Sequence, residues 1–255
     1  MSQLPVPAVA PYVPGTDPAV RRVDVAEVAP LFRFMRDAER RFETLRMTIL
    51  DRHVGARGDT VARTDVWLRH PGSSRVVLGD PDGAARGGYQ AWVIQDDTVT
   101  HYDADANVIR SRPRLAVPAG ADTNEDLPNF GRVYRPRTAL PAGSLADAFV
   151  HPHGFCRNVL ATGALSTAGV ATSSGGREMT LVRCDHPRSA KILVDRPDRW
   201  ILVGADRETG IILLLEEHVG DELTRRAEVT SLSLDEPLGD EVFTMHASAD
   251  VRRLY

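Results

Sequence analysis

Residues 200–243 read WILVGADRETGIILLLEEHVGDELTRRAEVTSLSLDEPLGDEVF, and this stretch decides the fold. Trp200 to Ala205 is a strand pattern, and Asp206-Arg207-Glu208-Thr209-Gly210 is turn chemistry. Gly210 suits the left-handed position of a bulged hairpin loop. A second strand is expected over Ile211 to His218 and a third over about Leu223 to Leu234. In the third, Leu223, Ala227 and Val229 alternate with Thr224, Arg226, Glu228 and Thr230. Leu232 and Leu234 fall out of phase with that set, which predicts a bulge near Ser231. Asp235-Glu236-Pro237-Leu238 ends the sheet, and Asp240 to Phe243 fits a single helical or 3₁₀ turn.

The preceding residues extend the same pattern. Strands are expected over Leu45–Val54, Thr60–Arg69, Ser74–Leu78, Tyr89–Gln95, Thr98–Tyr102 and Val108–Arg112. A further hairpin is expected over Ala164–Thr172 and Arg177–Cys184. In Thr60–Arg69, Ala62, Thr64, Val66 and Leu68 lie opposite Val61, Arg63, Asp65 and Trp67. The short connections imply antiparallel pairing throughout. One helix is expected from about Glu27 to Glu43, with Leu31, Phe34, Met35, Ala38 and Phe42 on one face. Pro113 to Pro152 is Pro-rich and irregular. It ends in a short helix over Ser144–Val150, with Ser144 as N-cap, and a second over Gly154–Ala161 closed by Gly163. Phe130, Tyr134, Leu145, Phe149 and Phe155 are the expected inward anchors of this insertion. Residues 1–25 read as a Pro-rich mobile arm and 26–255 as one domain, with the insertion at about 113–163.

Composition narrows the function. The chain has 255 residues, 42% hydrophobic and 26% charged, which is ordinary for a globular domain. A net charge of -4 argues against a nucleic-acid binder, which needs a basic field to displace counterions. Nearly all the positive charge is Arg, since Lys191 is the only lysine. No segment approaches the run of about 20 apolar residues that spans a bilayer. The first residues lack a secretory leader pattern, with prolines at Pro5, Pro7, Pro11, Pro14 and Pro18. On the sequence as it stands, the expectation is a cytoplasmic protein.

The order and spacing of Asp206, Thr209, Gly210, Glu216, Pro237, Leu238, Asp240 and Phe243 resemble the C-terminal half of the LolA-like lipoprotein carrier superfamily. That superfamily includes the periplasmic regulators of envelope-stress sigma factors. Trp67, Pro71 and Arg75 resemble its opening strands, and Trp92 with Tyr102-Asp103 its central hairpin. Gly176-Arg177 matches a strand opening of the regulator branch, and the chain resembles an actinobacterial-type member of the superfamily. The resemblance implies an α+β fold: a strongly curved antiparallel β-sheet, or half-barrel, wrapped over an N-terminal helix and a short helical lid. It also implies a usually exported protein that is not an enzyme, needs no cofactor, and binds a lipid acyl chain or lipoprotein in an apolar cavity under the sheet. The cavity candidates are Leu31, Phe34, Met35, Phe42, Trp67, Trp92, Phe149 and Trp200. Packing into the core is the competing reading for the helix residues among them. The alternative function is a regulatory protein–protein interaction module similar to the sigma-factor regulators.

A zinc-dependent or carboxylate hydrolase is a distant third reading. His151, His153 and Cys156, with Cys184 and His186, have the donor types for a tetrahedral zinc site. A Cys156–Cys184 disulfide and a pair of buried thiols are the other readings of the same residues. There is no G-x-S-x-G elbow, P-loop or Rossmann glycine pattern. Asp103-Ala104-Asp105-Ala106-Asn107 resembles the start of a calcium loop but lacks the later ligands, and reads as a turn. Glu216-Glu217 and Asp235-Glu236 read as solvated charge at strand ends.

Overall fold

The computed structural model describes residues 21–254, apart from 24, 56–57, 80–87, 96, 115–135, 188–197, 246 and 248–249. Among the described residues, thirteen strands form one curved, unclosed sheet. In chain order they are β1 (Arg21–Val23), β2 (Thr44–His53), β3 (Thr60–Arg69), β4 (Ser73–Gly79), β5 (Gln90–Gln95), β6 (Thr98–Asp103), β7 (Val108–Pro113), β8 (Ala164–Thr172), β9 (Glu178–Asp185), β10 (Arg199–Asp206), β11 (Ile212–Val219), β12 (Glu222–Leu234) and β13 (Arg252–Leu254). Across the sheet they run β1-β8-β9-β10-β11-β12-β2-β3-β4-β5-β6-β7-β13. The helices are α1 (Val25–Arg36), α2 (Leu145–Val150) and α3 (His153–Asn158), with 3₁₀ turns at Ala38–Arg40, Leu160–Thr162 and Asp240–Phe243.

Local chemistry explains the central hairpin. Asp206 is 1% exposed and its carboxylate collects four hydrogen bonds. Arg177 donates two, at 2.9 and 2.8 Å, and Thr209 donates its amide at 2.8 Å and its hydroxyl at 2.5 Å. The Gly210 amide donates to the Asp206 carbonyl at 2.8 Å, and Gly210 takes φ 83°. A Cβ there would stand 2.9 Å from the Phe34 carbonyl oxygen, so both backbone and space require glycine. The Asp-x-x-Thr-Gly spacing is therefore a staple that joins β9, β10 and β11. The bulge in β12 lies between Val229 and Ser231, where the phase change predicts it.

The closing turn is fixed by two arginines, one on β3 and one on β4. Arg69 donates to the Leu238 carbonyl at 2.9 Å and to Asp240 at 2.6 Å, and its guanidinium lies 4.8 Å from the Phe243 ring centroid. Arg75 donates to the Val242 carbonyl at 3.1 Å. Phe243 is 1% exposed beneath this clasp.

Several expectations are corrected. The helix read over 27–43 stops at Arg36 and continues as the 3₁₀ turn at Ala38–Arg40. Arg41 donates to the Phe34 carbonyl at 2.7 Å and to the Thr209 carbonyl at 2.9 Å, tying this break to the hairpin. The chain joins the sheet at β1 and starts α1 at Val25, inside the segment read as a mobile arm. β13 pairs in parallel with β7, so the sheet is mostly rather than wholly antiparallel. Both differences are long-range pairings that no local pattern announces. Ser144 caps α2 as expected, accepting from the Asp147 amide at 3.1 Å. Asp103–Asn107 is a turn, with Asn107 at φ 47°. Phe130 and Tyr134 lie outside the described residues.

Candidate functional site

Cross-strand partners share a face of a sheet, so the register assigns every side chain to one of two surfaces. One surface carries Leu45, Met47 and Ile49 of β2, Val66 and Leu68 of β3, Val76 of β4, Ile201, Val203 and Ala205 of β10, and Ala227 of β12. All are buried, and they pack in one apolar cluster with Met35, Ala38, Phe42, Phe149, Val150, Cys156 and Leu160 from the helical segments. This is the inner surface, and the helices form a plug against it.

The eight cavity candidates divide between the two surfaces. Met35, Phe42 and Phe149 are 1%, 2% and 0% exposed within the packed plug. Leu31 and Phe34 are half-buried, and the Arg41 guanidinium covers the Phe34 ring at 3.9 Å. Trp92 pairs with Val76, packs against the same cluster and stacks on His101 at 4.7 Å. Trp67 and Trp200 lie on the outer surface instead. Trp67 is cross-strand from Arg46 and Arg75. Trp200 lies between the Arg183 guanidinium, at 4.1 Å, and the His218 ring, at 3.7 Å.

The inner surface also carries charge beyond the plug. Asp51 accepts two bonds from Arg225 at 2.9 Å each, Arg225 donates to Glu217 at 3.0 Å, and Arg199 donates to Glu217 at 2.8 Å. Burial pushes the Glu217 carboxyl up, but Arg199 and Arg225 outweigh it and hold the carboxyl below its ordinary value. On the outer surface, Arg226 joins Glu216 at 2.5 Å and Glu228 at 2.8 Å. Glu216 and Glu217 are thus members of ion-pair ladders rather than solvated charge. The pairings of Asp51, Glu216 and Glu217 escape sequence reading because their Arg partners lie on other strands. The Arg226-x-Glu228 spacing on one face of β12 was the available signal.

The zinc candidates do not converge. His151 faces Asp147 at 2.9 Å and Glu39 at 3.4 Å. The Cys156 sulfur contacts Met35 at 3.8 Å, and the Cys184 thiol donates to the Leu160 carbonyl at 3.4 Å. Burial pushes both thiols up to about 12, and both cysteines are free, which excludes the disulfide reading. Among the described residues, including His153 and His186, no three His, Cys, Asp or Glu side chains come together so as to hold a metal ion.

Solved structures share this architecture. MucB in the Pseudomonas aeruginosa MucA/MucB complex matches with a TM-score of 0.51 at 14% identity, covering 86% of this chain and 61% of that one. The fold is shared with MucB. MucB in complex with MucA(peri) gives a TM-score of 0.50 at 14% identity, over 89% of this chain and 62% of that one. This chain therefore spans less than two thirds of the MucB chains it matches. The LolA superfamily protein NE2245 from Nitrosomonas europaea matches at 10% identity over 86% of this chain and 97% of that one, with a TM-score of 0.34 that adds nothing to the argument. No protein-family model and no curated relative matches the sequence. At these identities the likeness to MucB is one of fold. Among the described residues, no helix is long and apolar enough to cross a membrane.

Proposed function

We propose that this LolA-like chain is a non-enzymatic binding module that takes an acyl chain or similar lipophile between the inner surface of the sheet and the helical plug. The observation that carries this reading is the single apolar cluster running from β10 through β12 and β2 to β4 and onto the helices. Its plug is built of short segments, since α2 and α3 have six residues each. Six-residue helices have little stability of their own and hold their places by packing. A lipophile that displaces part of this plug gains about 0.8 kcal/mol for each CH₂ it buries. Leu31 and Trp92, half-buried and packed against the cluster, would be its first contacts. A fatty-acid probe whose emission rises in apolar surroundings should bind in a saturable, equimolar way, and unlabelled fatty acid should displace it. Emission that grows without saturation, or resists displacement, would count against the reading.

One observation favours a second reading, a protein-interaction module. Among the described residues, β1 pairs with Leu165–Thr167 at the outer edge of β8 and no strand pairs with that edge beyond Thr167. Beyond it, Ala168–Thr172 carries no charge and no proline, and Val170 is 57% exposed. Open apolar edges accept an extended segment by strand addition. The MucB structures, solved with MucA, are consistent with a protein partner for this fold. A protein retained by the immobilised chain and lost with Val170→Lys would support this mode, whereas unchanged retention would remove β8 from it.

A further inference from the structure

A buried cluster of ionisable side chains lies where α2 meets the turn after α1. His151, which follows α2 directly, is 7% exposed, and Glu39 in the 3₁₀ turn is 4% exposed. The imidazole stands between two carboxylates: Nδ1 is 2.9 Å from Asp147 of α2, and Nε2 is 3.4 Å from Glu39. Glu39 also accepts the Arg137 amide at 2.9 Å, while the Arg137 guanidinium reaches Glu43 at 3.0 Å. From the turn between β3 and β4, His70 adds a second buried imidazole, bonded to the Thr138 hydroxyl at 2.8 Å. The folded state gains nothing obvious from burying these groups, since an apolar contact would join α2 to the plug equally well. What the cluster adds is dependence on a proton.

We infer that Glu39, His151 and Asp147 form a protonation-controlled latch that fastens α2 to the turn after α1, closed while the imidazole carries its proton and loosened when it loses it. Charged, the ring donates from both nitrogens, one to each carboxylate. Neutral, it keeps one donor and turns a lone pair toward the other carboxylate, so one arm of the latch becomes repulsive. Burial pushes His151 down, but its bonds to Asp147 and Glu39 outweigh burial and raise it above the usual 6.5. A raised imidazole gives its full contribution below about 6.5, its unfolded value, and loses it as pH rises through the folded value. Burial and the Arg137 charge push His70 down to about 4, so it stays neutral through this window and does not produce the transition. Loosening α2 would uncover the cluster beneath Phe149 and Val150.

The test is amide hydrogen exchange across Leu145–Val150 between pH 5.5 and 9, corrected for the intrinsic pH dependence of exchange. It needs no ligand, so its failure is separate from failure of the lipophile reading. In the wild type, protection of α2 should fall by about tenfold as pH rises, the effect of losing one charge-assisted hydrogen bond. Protection of β2 and β11 should not change. His151→Gln should show no such transition. If that variant fails to fold, Asp147→Asn, at a partly exposed position, should move the midpoint to lower pH. A wild-type profile without a transition, a transition that persists in His151→Gln, a midpoint unmoved by Asp147→Asn, or equal loosening of β2 and β11 would each overturn the latch.

Discussion

Asp206→Ala is expected to destabilise the chain by about 3–5 kcal/mol, the usual cost of removing one partner from a buried charge pair. The carboxylate is 1% exposed and collects two bonds from Arg177 and two from Thr209. Among the described residues, its loss leaves Arg177 with the exposed Glu208 as its one acidic partner and frees a buried amide in the turn. The turn sets the register of β10 on β11, so the loss reaches the centre of the sheet. Denaturant unfolding measures the effect as a fall in midpoint. A shift worth less than about 1 kcal/mol would show that the staple is decorative. The carboxyl also predicts a pH response. Burial pushes it up, but Arg177 and Thr209 outweigh burial and hold it below its ordinary value. A depressed carboxyl contributes in full above its unfolded value of about 3.9 and is lost as pH falls through the folded value. The wild type should therefore lose stability in acid below about pH 4, and Asp206→Asn should flatten that loss.

Phe149→Ala should also cost about 3–5 kcal/mol, because it removes a fully buried aromatic ring from the plug. It tests function as well as stability. The cavity it leaves is lined by apolar residues of the central cluster, and such cavities stay dry and admit apolar guests. If a lipophile occupies this region, the variant should bind the fatty-acid probe more tightly than the wild type despite its lower stability. If the region is only core, stability should fall while probe binding stays unchanged.

Much of the fold is legible in the sequence because its signals are local. Thr60–Arg69 alternates cleanly, Gly210 announces a left-handed turn, and the phase change before Leu232 announces a bulge. The missed features join residues far apart in the chain. β1 lies on β8, β13 lies on β7, and Glu39 meets His151 across more than a hundred residues of sequence, with nothing in either segment to mark the partner. Trp67 is a different kind of error. The alternation of β3 already groups it with Arg63 and Asp65, away from Val66 and Leu68, yet its apolar ring suggested a cavity. Its outer position shows that register decides a strand residue's surroundings more firmly than side-chain character does. Trp200 follows the same rule, with Arg183 and His218 on its two faces.

The central claim is that the apolar space between sheet and plug accepts a lipophile. The most direct measurement is organic extraction of the purified protein, followed by mass spectrometry of the extract and a native mass spectrum of the intact chain. The account predicts a co-purified lipid near one equivalent, or stoichiometric uptake after incubation with fatty acid, seen as a matching increase in native mass. No lipid in the extract and no uptake on incubation would contradict it, leaving a filled core and moving the function to the outer surface and the β8 edge.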